Sequence, residues 1–277
     1  MRFGLWMSGG VVVLGGMAVG AWGADSLGGL VVAPAGAGTL KSGVQVEVMG
    51  VTDGETWWTA DGVAMHGAPT ERLGERAREQ KVSVEVGQRV VRVAVRVEGG
   101  KGASGEEPSV AVEMDGATGS SSSRGSDGAW EGMEVARVKG ETESGTVRVA
   151  VAAGKWKTVA DTDGRGAEST GDIAMTGVLE GDGKTVVVVS EPTTGPAQER
   201  RLELTDKAGK AHASTGTEGL GGTEYRMTIF EFSDVRPADV AKVVYSVRAY
   251  DQWVEFRGVA LEAGAGGKVE VGTSDGK

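Results

Sequence analysis

The sequence predicts an all-β protein, an antiparallel β-sandwich of jelly-roll type with Gly-rich loops and few or no helices beyond an N-terminal signal segment. Three observations carry this. Val and other apolar residues alternate with polar ones at period two in many short runs, as strands with one wet face do. Turn residues recur between these runs at roughly 8–12-residue spacing, as two-sheet folds require. Glycine is abundant, 48 of 277 residues, and has no triplet period, so it marks turns rather than collagen. No nucleotide-binding βαβ unit is present,.

The first element is an export segment. Arg2 supplies a positive charge, Gly4–Ala24 is apolar and uncharged, and Asp25 is the first acid. That order is the order of a secretory signal. Ala21 and Gly23 are the small residues needed for a cut after Gly23, with Ala18 and Gly20 as a second register. The alternative is an uncleaved anchor, since about 20 apolar residues just span a bilayer. The frequent glycines in the run lower helix propensity and favour the cleaved form,. Either way, the remaining chain is expected outside the cytoplasm, periplasmic or secreted, with membrane contact only through this segment if it is uncleaved.

Residues 24–42 read as a flexible linker, with a short strand at Leu30–Val32. A sandwich domain is predicted over 43–262, with two subdomains as the alternative. Val44, Val46 and Val48 alternate with Gln45 and Glu47 in its first strand. Val82–Val97 repeats the device at greater length, interrupted at Gly87-Gln88, and Arg92 and Arg96 fall on its wet face. Further strands are predicted at Ser109–Met114, Met133–Val138, Thr146–Ala152, Lys155–Ala160, Asp172–Val178, Thr185–Ser190, Arg200–Thr205, Glu224–Phe232, Val243–Ala249 and Trp253–Leu261,. Gly181-Asp182-Gly183 and Asp206–Lys210 read as hairpin turns, and Gly116–Gly128, with its Ser120–Ser123 run, as a flexible loop. Thr70–Gln80 predicts a short charged surface helix. Arg236–Lys242 predicts a single turn with Pro237 at its first position. The tail, 263–277, reads as loose, with a short edge strand at Val269–Val271.

Composition removes several function classes. There is no cysteine, so a lipid-anchored lipoprotein, a disulfide scaffold, thiol catalysis and Cys-based metal centres are excluded. Net charge is −10 and the sequence pI near 4.9. A nucleic acid would be repelled, and no basic stripe offsets this. No cofactor is expected.

Candidate chemistry is sparse. His66 and His212 are the only histidines, and both read as surface or turn residues. A Ser-His-Asp arrangement would need one of them, with no identifiable partner. Asp161-Thr162-Asp163-Gly164 begins like a calcium loop, but Arg165 stands at the next ligand position and the closing Glu is missing, so turn chemistry is the better reading. Glycoside hydrolysis needs two carboxylates about 5–10 Å apart, and no motif selects a pair. Adjacent Trp57 and Trp58 would point to opposite faces of a strand. Core packing is the first reading of the pair. The functional alternative is a ligand contact by Trp57, Trp58 and Asp61. Trp156 and Trp253 read as core anchors. No catalytic residue and no metal ligand is assigned.

Three blocks carry a resemblance: Val44–Val51 followed by the Trp57-Trp-Thr-Ala-Asp-Gly62 run, Gly154–Ala160, and the closing VVYSVRAYDQWVEFRGVAL of Val243–Leu261. They resemble uncharacterised exported or membrane-tethered proteins of planctomycete-type bacteria, with their WWxxDG and closing WVEFxxVxL patterns. Ala249 and Gly258 depart from that pattern, where Pro and Asn are expected. The resemblance implies an exported module associated with sensor or regulatory domains, and no active residues.

The expectation is a non-catalytic extracytoplasmic binding or sensor-type module, not an enzyme. Its partner is unknown, with a glycan or another cell-envelope component as the candidate. The alternatives are a carboxylate-dependent polysaccharide hydrolase and a structural module of an envelope assembly.

Overall fold

Period-two valine runs build the first half of the chain. The computed structural model describes residues 36–100, 108–114, 116–124, 129–193, 198–221 and 224–275. The expected signal segment, the Leu30–Val32 strand and residues 24–35 of the expected linker lie outside the described residues. Eight strands come first: β1 (Ala37–Thr39), β2 (Gln45–Thr52), β3 (Trp57–Trp58), β4 (Gln88–Glu98), β5 (Ser109–Met114), β6 (Ala117–Arg124), β7 (Trp130–Lys139) and β8 (Ser144–Ala152). The helix α1 (Glu71–Glu79) lies between β3 and β4. Ten strands follow: β9 (Lys157–Thr162), β10 (Glu168–Thr170), β11 (Ile173–Met175), β12 (Leu179–Gly181), β13 (Lys184–Pro192), β14 (Gln198–Asp206), β15 (Ala211–Ala213), β16 (Gly216–Gly221), β17 (Tyr225–Phe232) and β18 (Val240–Ala249). The chain closes with β19 (Gln252–Ala260) and β20 (Glu270–Asp275). The protein is all-β, and its registered strand pairs are antiparallel.

The chain divides into two compact units, Trp156–Arg248 being interposed in sequence between Gly29–Lys155 and Ala249–Lys277. The outer unit has two sheets, ordered β1-β2-β4-β7-β6, with β3 on β2, and β20-β19-β8-β5. Val46, Val48, Val91, Val93, Val95, Val147, Val149, Val254 and Phe256 form its core. The alternation read at Val44–Val48 places these valines inside, as expected. β1 and buried Leu40 belong to this sandwich, so the last part of the expected linker is structured.

The other side of β4 is not a wet face. Thr70 caps α1, accepting the Leu73 amide at 3.3 Å, and the helix lays Leu73 and Ala77 on Trp57, Ala94 and Met133. Burying Leu73 contributes about 2 kcal/mol. Arg92, expected on a solvated surface, is buried and donates to the Gln80 carbonyl at 2.6 Å and the Asp53 carbonyl at 3.0 Å. It thereby ties down the C-terminal end of the helix. Arg96 pairs with Glu98 and Glu131, and Arg72 of the helix also pairs with Glu131.

Two further expectations fail in this unit. Residues 82–86 are not a strand, and Val84 and Val86 are exposed. The register of β4 with β7 ends at Gln88–Lys139, so the segment serves as the connection from the helix. The Ser120–Ser123 run, expected to be a loop, lies in β6, paired with β7 at Ser120–Glu134 through Ser123–Glu131. Backbone pairing to a long neighbour overrides weak side-chain propensity. The turn before β6 needs Gly116, whose φ is +76° and where a Cβ would lie 2.1 Å from the Arg137 carbonyl oxygen. Gly116→Ala is expected to lower stability by about 2 kcal/mol, measurable by urea unfolding. An unchanged midpoint would contradict this geometry.

The interposed unit has sheets ordered β10-β11-β13-β17-β16, with β12 on β13, and β15-β14-β18-β9. Val187, Val189, Leu202, Leu204, Phe230, Phe232, Val243 and Tyr245 fill it. The Tyr245 hydroxyl donates to buried Glu191 at 3.0 Å, and Arg200 pairs with the other carboxylate oxygen. The expected turns at Gly181–Gly183 and Asp206–Lys210 connect β12 to β13 and β14 to β15. The expected single turn is a 3-10 turn, Pro237–Asp239. Among the described residues, no helix is long and apolar enough to cross a membrane.

Candidate functional site

The site grows from one hairpin turn. Asp206 Oδ1 accepts the amides of Ala208 and Lys210, each at 2.9 Å. The Asp206 amide donates to the Lys210 carbonyl at 2.9 Å. Gly209, at φ +84°, supplies the left-handed step,. β15 then pairs with β14, with His212 opposite Leu204. That register turns the imidazole inward, and its ring is buried.

His212 sits between two carboxylates. Its Nε2 lies 3.0 Å from Asp206 Oδ2, and its Nδ1 lies 2.7 Å from Asp234 Oδ2. Only the imidazolium donates from both nitrogens, so two acceptors select the charged form. The Asp206 and Asp234 bonds hold the His212 pKa above its ordinary value, against burial. The same bonds hold both aspartates below the usual carboxylate range, helped at Asp206 by the Lys210 and Ala208 amides. Lys210 Nζ is 3.6 Å from Asp234.

The clamp forms one wall of an open groove of about 620 Å³. Lys184, Ser233, Asp234, Arg236 and Asp239 present polar groups to it. Thr185 is buried and donates its hydroxyl to the Val235 carbonyl, pinning the segment that carries Ser233–Arg236. Lys207 donates to the Ala238 carbonyl at 2.6 Å and holds the 3-10 turn. Arg236 Nε donates to Asp239 at 2.7 Å, and Lys184 Nζ to Glu231 at 2.5 Å.

The clamp is not a Ser-His-Asp arrangement. Both imidazole nitrogens are occupied by carboxylates, leaving none to take a proton from a nucleophile. Ser233 Oγ bonds Thr215 Oγ1 at 3.0 Å instead. Glycoside hydrolysis needs one carboxyl of raised pKa, whereas Asp206 and Asp234 are both lowered. What the groove offers is charged side chains and the Ser233 hydroxyl.

The clamp makes local stability depend on pH in two limbs. His212 has a raised folded-state pKa, so its contribution is complete below about 6.5 and fades as pH rises through the higher folded value,. The aspartates have lowered values, so theirs is complete above about 3.8 and fades as pH falls through the lower folded values,. Protection of β15 amides from hydrogen exchange is therefore expected to peak between these limits. His212→Gln should abolish the upper limb. An upper limb that survives in this variant would contradict the clamp.

The residues singled out in the sequence lie elsewhere. Trp57 and Trp58 point to opposite faces of β3, as expected, and both are buried. Trp57 packs under α1, and Trp58 sits in the inter-sheet core, donating from Nε1 to the Ala260 carbonyl at 2.8 Å. Neither ring is an exposed platform. Asp61 is half-buried and accepts the Thr59 hydroxyl within a turn. Trp156 and Trp253, expected as core anchors, are half-buried instead. Guanidinium groups of Arg201 and Arg248 lie 4.4 and 4.7 Å from the Trp156 ring centre, and Arg148 lies 5.1 Å from that of Trp253. Long Arg side chains cover these rings.

His66 is exposed, as expected. His212 is not the surface residue expected of it. Its sequence signal was the turn-forming Asp206 six residues before it, while Asp234 carries no local signal. Asp163 Oδ1 accepts the Arg165 amide at 3.0 Å, and Asp161 pairs with Lys242 at 2.8 Å, which is turn and ion-pair chemistry. Among the described residues, no cluster of three or more His, Asp or Glu is placed to hold a metal ion. No family model matches the chain, and no curated protein matches it.

Proposed function

We propose that the chain is a non-catalytic, extracytoplasmic binding module whose site is the groove of the interposed sandwich. The groove itself carries this reading. It joins Lys184, Arg236, Asp234, Asp239 and Ser233 on one concave surface, backed by a charge clamp whose imidazole is buried. Ionised side chains and a hydroxyl gathered on one concave surface suit a hydroxyl-rich ligand, since each ligand hydroxyl both donates and accepts. A glycan of the cell envelope is the class that fits, and the apolar, charge-free Gly4–Ala24 run supports placing the module outside the cytoplasm,. With no aromatic ring among the described residues that line the groove, affinity is expected in the weak range, about 10 μM to 1 mM.

The test is calorimetric titration with neutral cell-wall oligosaccharides. Arg236→Ala and Lys184→Ala are each expected to weaken binding about tenfold, with folding unchanged. Equal binding by the wild type and both variants would sink the reading, as would no binding to any oligosaccharide.

A further inference from the structure

We propose that a cleft beside the groove is a second subsite, taking a sugar residue that carries a carboxylate. The proposal rests on the groove being the ligand site. The cleft, of about 300 Å³, lies in the same unit. It shares Pro237 and Ala238 with the groove, so the two meet at the 3-10 turn. A linear ligand that fills the groove and continues across this turn enters the cleft next.

The turn is held firmly at this junction. The Lys207 amide donates to the Asp239 carbonyl at 2.8 Å, and the Lys207 ammonium to the Ala238 carbonyl at 2.6 Å. Another wall comes from the loop after β9, the Asp161-Thr162-Asp163-Gly164 run singled out in the sequence. The Gly164 amide donates to Thr162 Oγ1 at 3.3 Å, and the Val178 amide to the Gly164 carbonyl at 2.8 Å. Gly164 has a φ of +75°, and a Cβ there would lie 2.7 Å from Val178 Cγ2, so glycine lets the loop approach this closely. The loop so held carries Arg165 to the cleft.

The two cavities differ in charge. In the groove each cation is matched: Lys184 pairs with Glu231, Arg236 with Asp239, and Lys210 of the clamp with Asp234. The cleft sets Arg165 and Lys207 against Asp163 alone. Arg165 meets Asp163 at 3.5 Å with both side chains exposed, a pair that contributes little. The cleft therefore holds one excess positive charge, and its guanidinium fork can receive a carboxylate through two hydrogen bonds. Val178 and Val240 also line it, which suits the apolar C–H face of a sugar ring. The net charge of −10 over the whole chain does not cancel this attraction. At about 0.15 M salt, exposed charges more than about 8 Å apart are largely screened, so the two nearby cations dominate at the cleft.

Calorimetry of the full chain with two tetrasaccharides at about 0.15 M salt tests the proposal. One is the neutral N-acetylglucosamine tetramer. The other alternates N-acetylglucosamine with N-acetylmuramic acid, whose lactyl ether carries a carboxylate. The acidic tetramer should bind about tenfold tighter than the neutral one. Arg165→Glu should bring the two within about twofold of each other, whereas Arg165→Lys should keep most of the difference, since it keeps the charge. The Arg165 side chain is 88% exposed, so neither substitution disturbs folding. Equal affinity for the two tetramers, or an advantage that survives Arg165→Glu, overturns the second subsite and leaves the groove standing. Binding of neither tetramer overturns the groove as ligand site, and the subsite with it.

Discussion

Trp58→Ala is expected to cost about 4 kcal/mol, the largest single effect in the chain. The ring is 1% exposed within the inter-sheet core and donates to the Ala260 carbonyl at 2.8 Å. Removing it opens a cavity between the sheets and strips a buried carbonyl of a partner, a loss of about 1 kcal/mol beyond packing alone. Trp57→Ala should cost nearer 3 kcal/mol, because its ring packs on the α1 side of the sheet,. Hydrogen exchange separates the two. Trp57→Ala should loosen α1 first, whereas Trp58→Ala should lower protection across β2, β4 and β19 together. If both variants lost only local protection, Trp58 would not be the cross-sheet anchor described here.

Glu134→Gln is expected to stabilise the protein by about 2 kcal/mol at pH 8 and to change little at pH 4.5. Glu134 lies on β7 opposite Val93 of β4, a core residue, and is 4% exposed. Its Oε2 has no hydrogen-bond partner among the described residues. Burial pushes its carboxyl up to about 7, and Glu113 adds to the rise. The folded state therefore holds a proton that the unfolded chain releases near pH 4.5. Stability falls as pH rises from about 4.5 through 7, then levels off. The full shift would correspond to about 3 kcal/mol, and relaxation of the site around the charge reduces this to about 2. Gln keeps the shape and removes the titration. A urea-unfolding series across pH 4.5–8 in which wild type and Glu134→Gln run parallel would contradict this placement.

The fold class was legible because it rests on local alternation. Val44–Val48 and Ser109–Met114 carry their facing in their own side chains, and the charged Thr70–Gln80 run contains α1. What was not legible depends on neighbours. Val82–Val86 alternates perfectly, but no strand among the described residues extends alongside it. Ser120–Ser123 has little strand propensity, but β7 offers it a backbone. Arg92 looked solvated because nothing local announces that α1 folds back over its face. The division at Lys155/Trp156 falls at the start of an ordinary-looking strand.

The site was less legible still. Trp57 and Trp58 stood out by residue type, and their burial follows from β3 being added to β2 with a helix on one side and the second sheet on the other. Asp234 lies 22 residues from His212, and only the return of β17 past β15 brings them together. A buried histidine clamped by two aspartates is a long-range product of the fold.

The groove beside this clamp is the proposed ligand site. The most direct measurement is an amide chemical-shift titration of the full chain with a short neutral oligomer of N-acetylglucosamine. Shifts should concentrate at Lys184, Ser233, Asp234, Arg236 and Asp239 and vanish in Arg236→Ala. Shifts centred in the outer unit around Trp57–Asp61, or unaffected by Arg236→Ala, would contradict it.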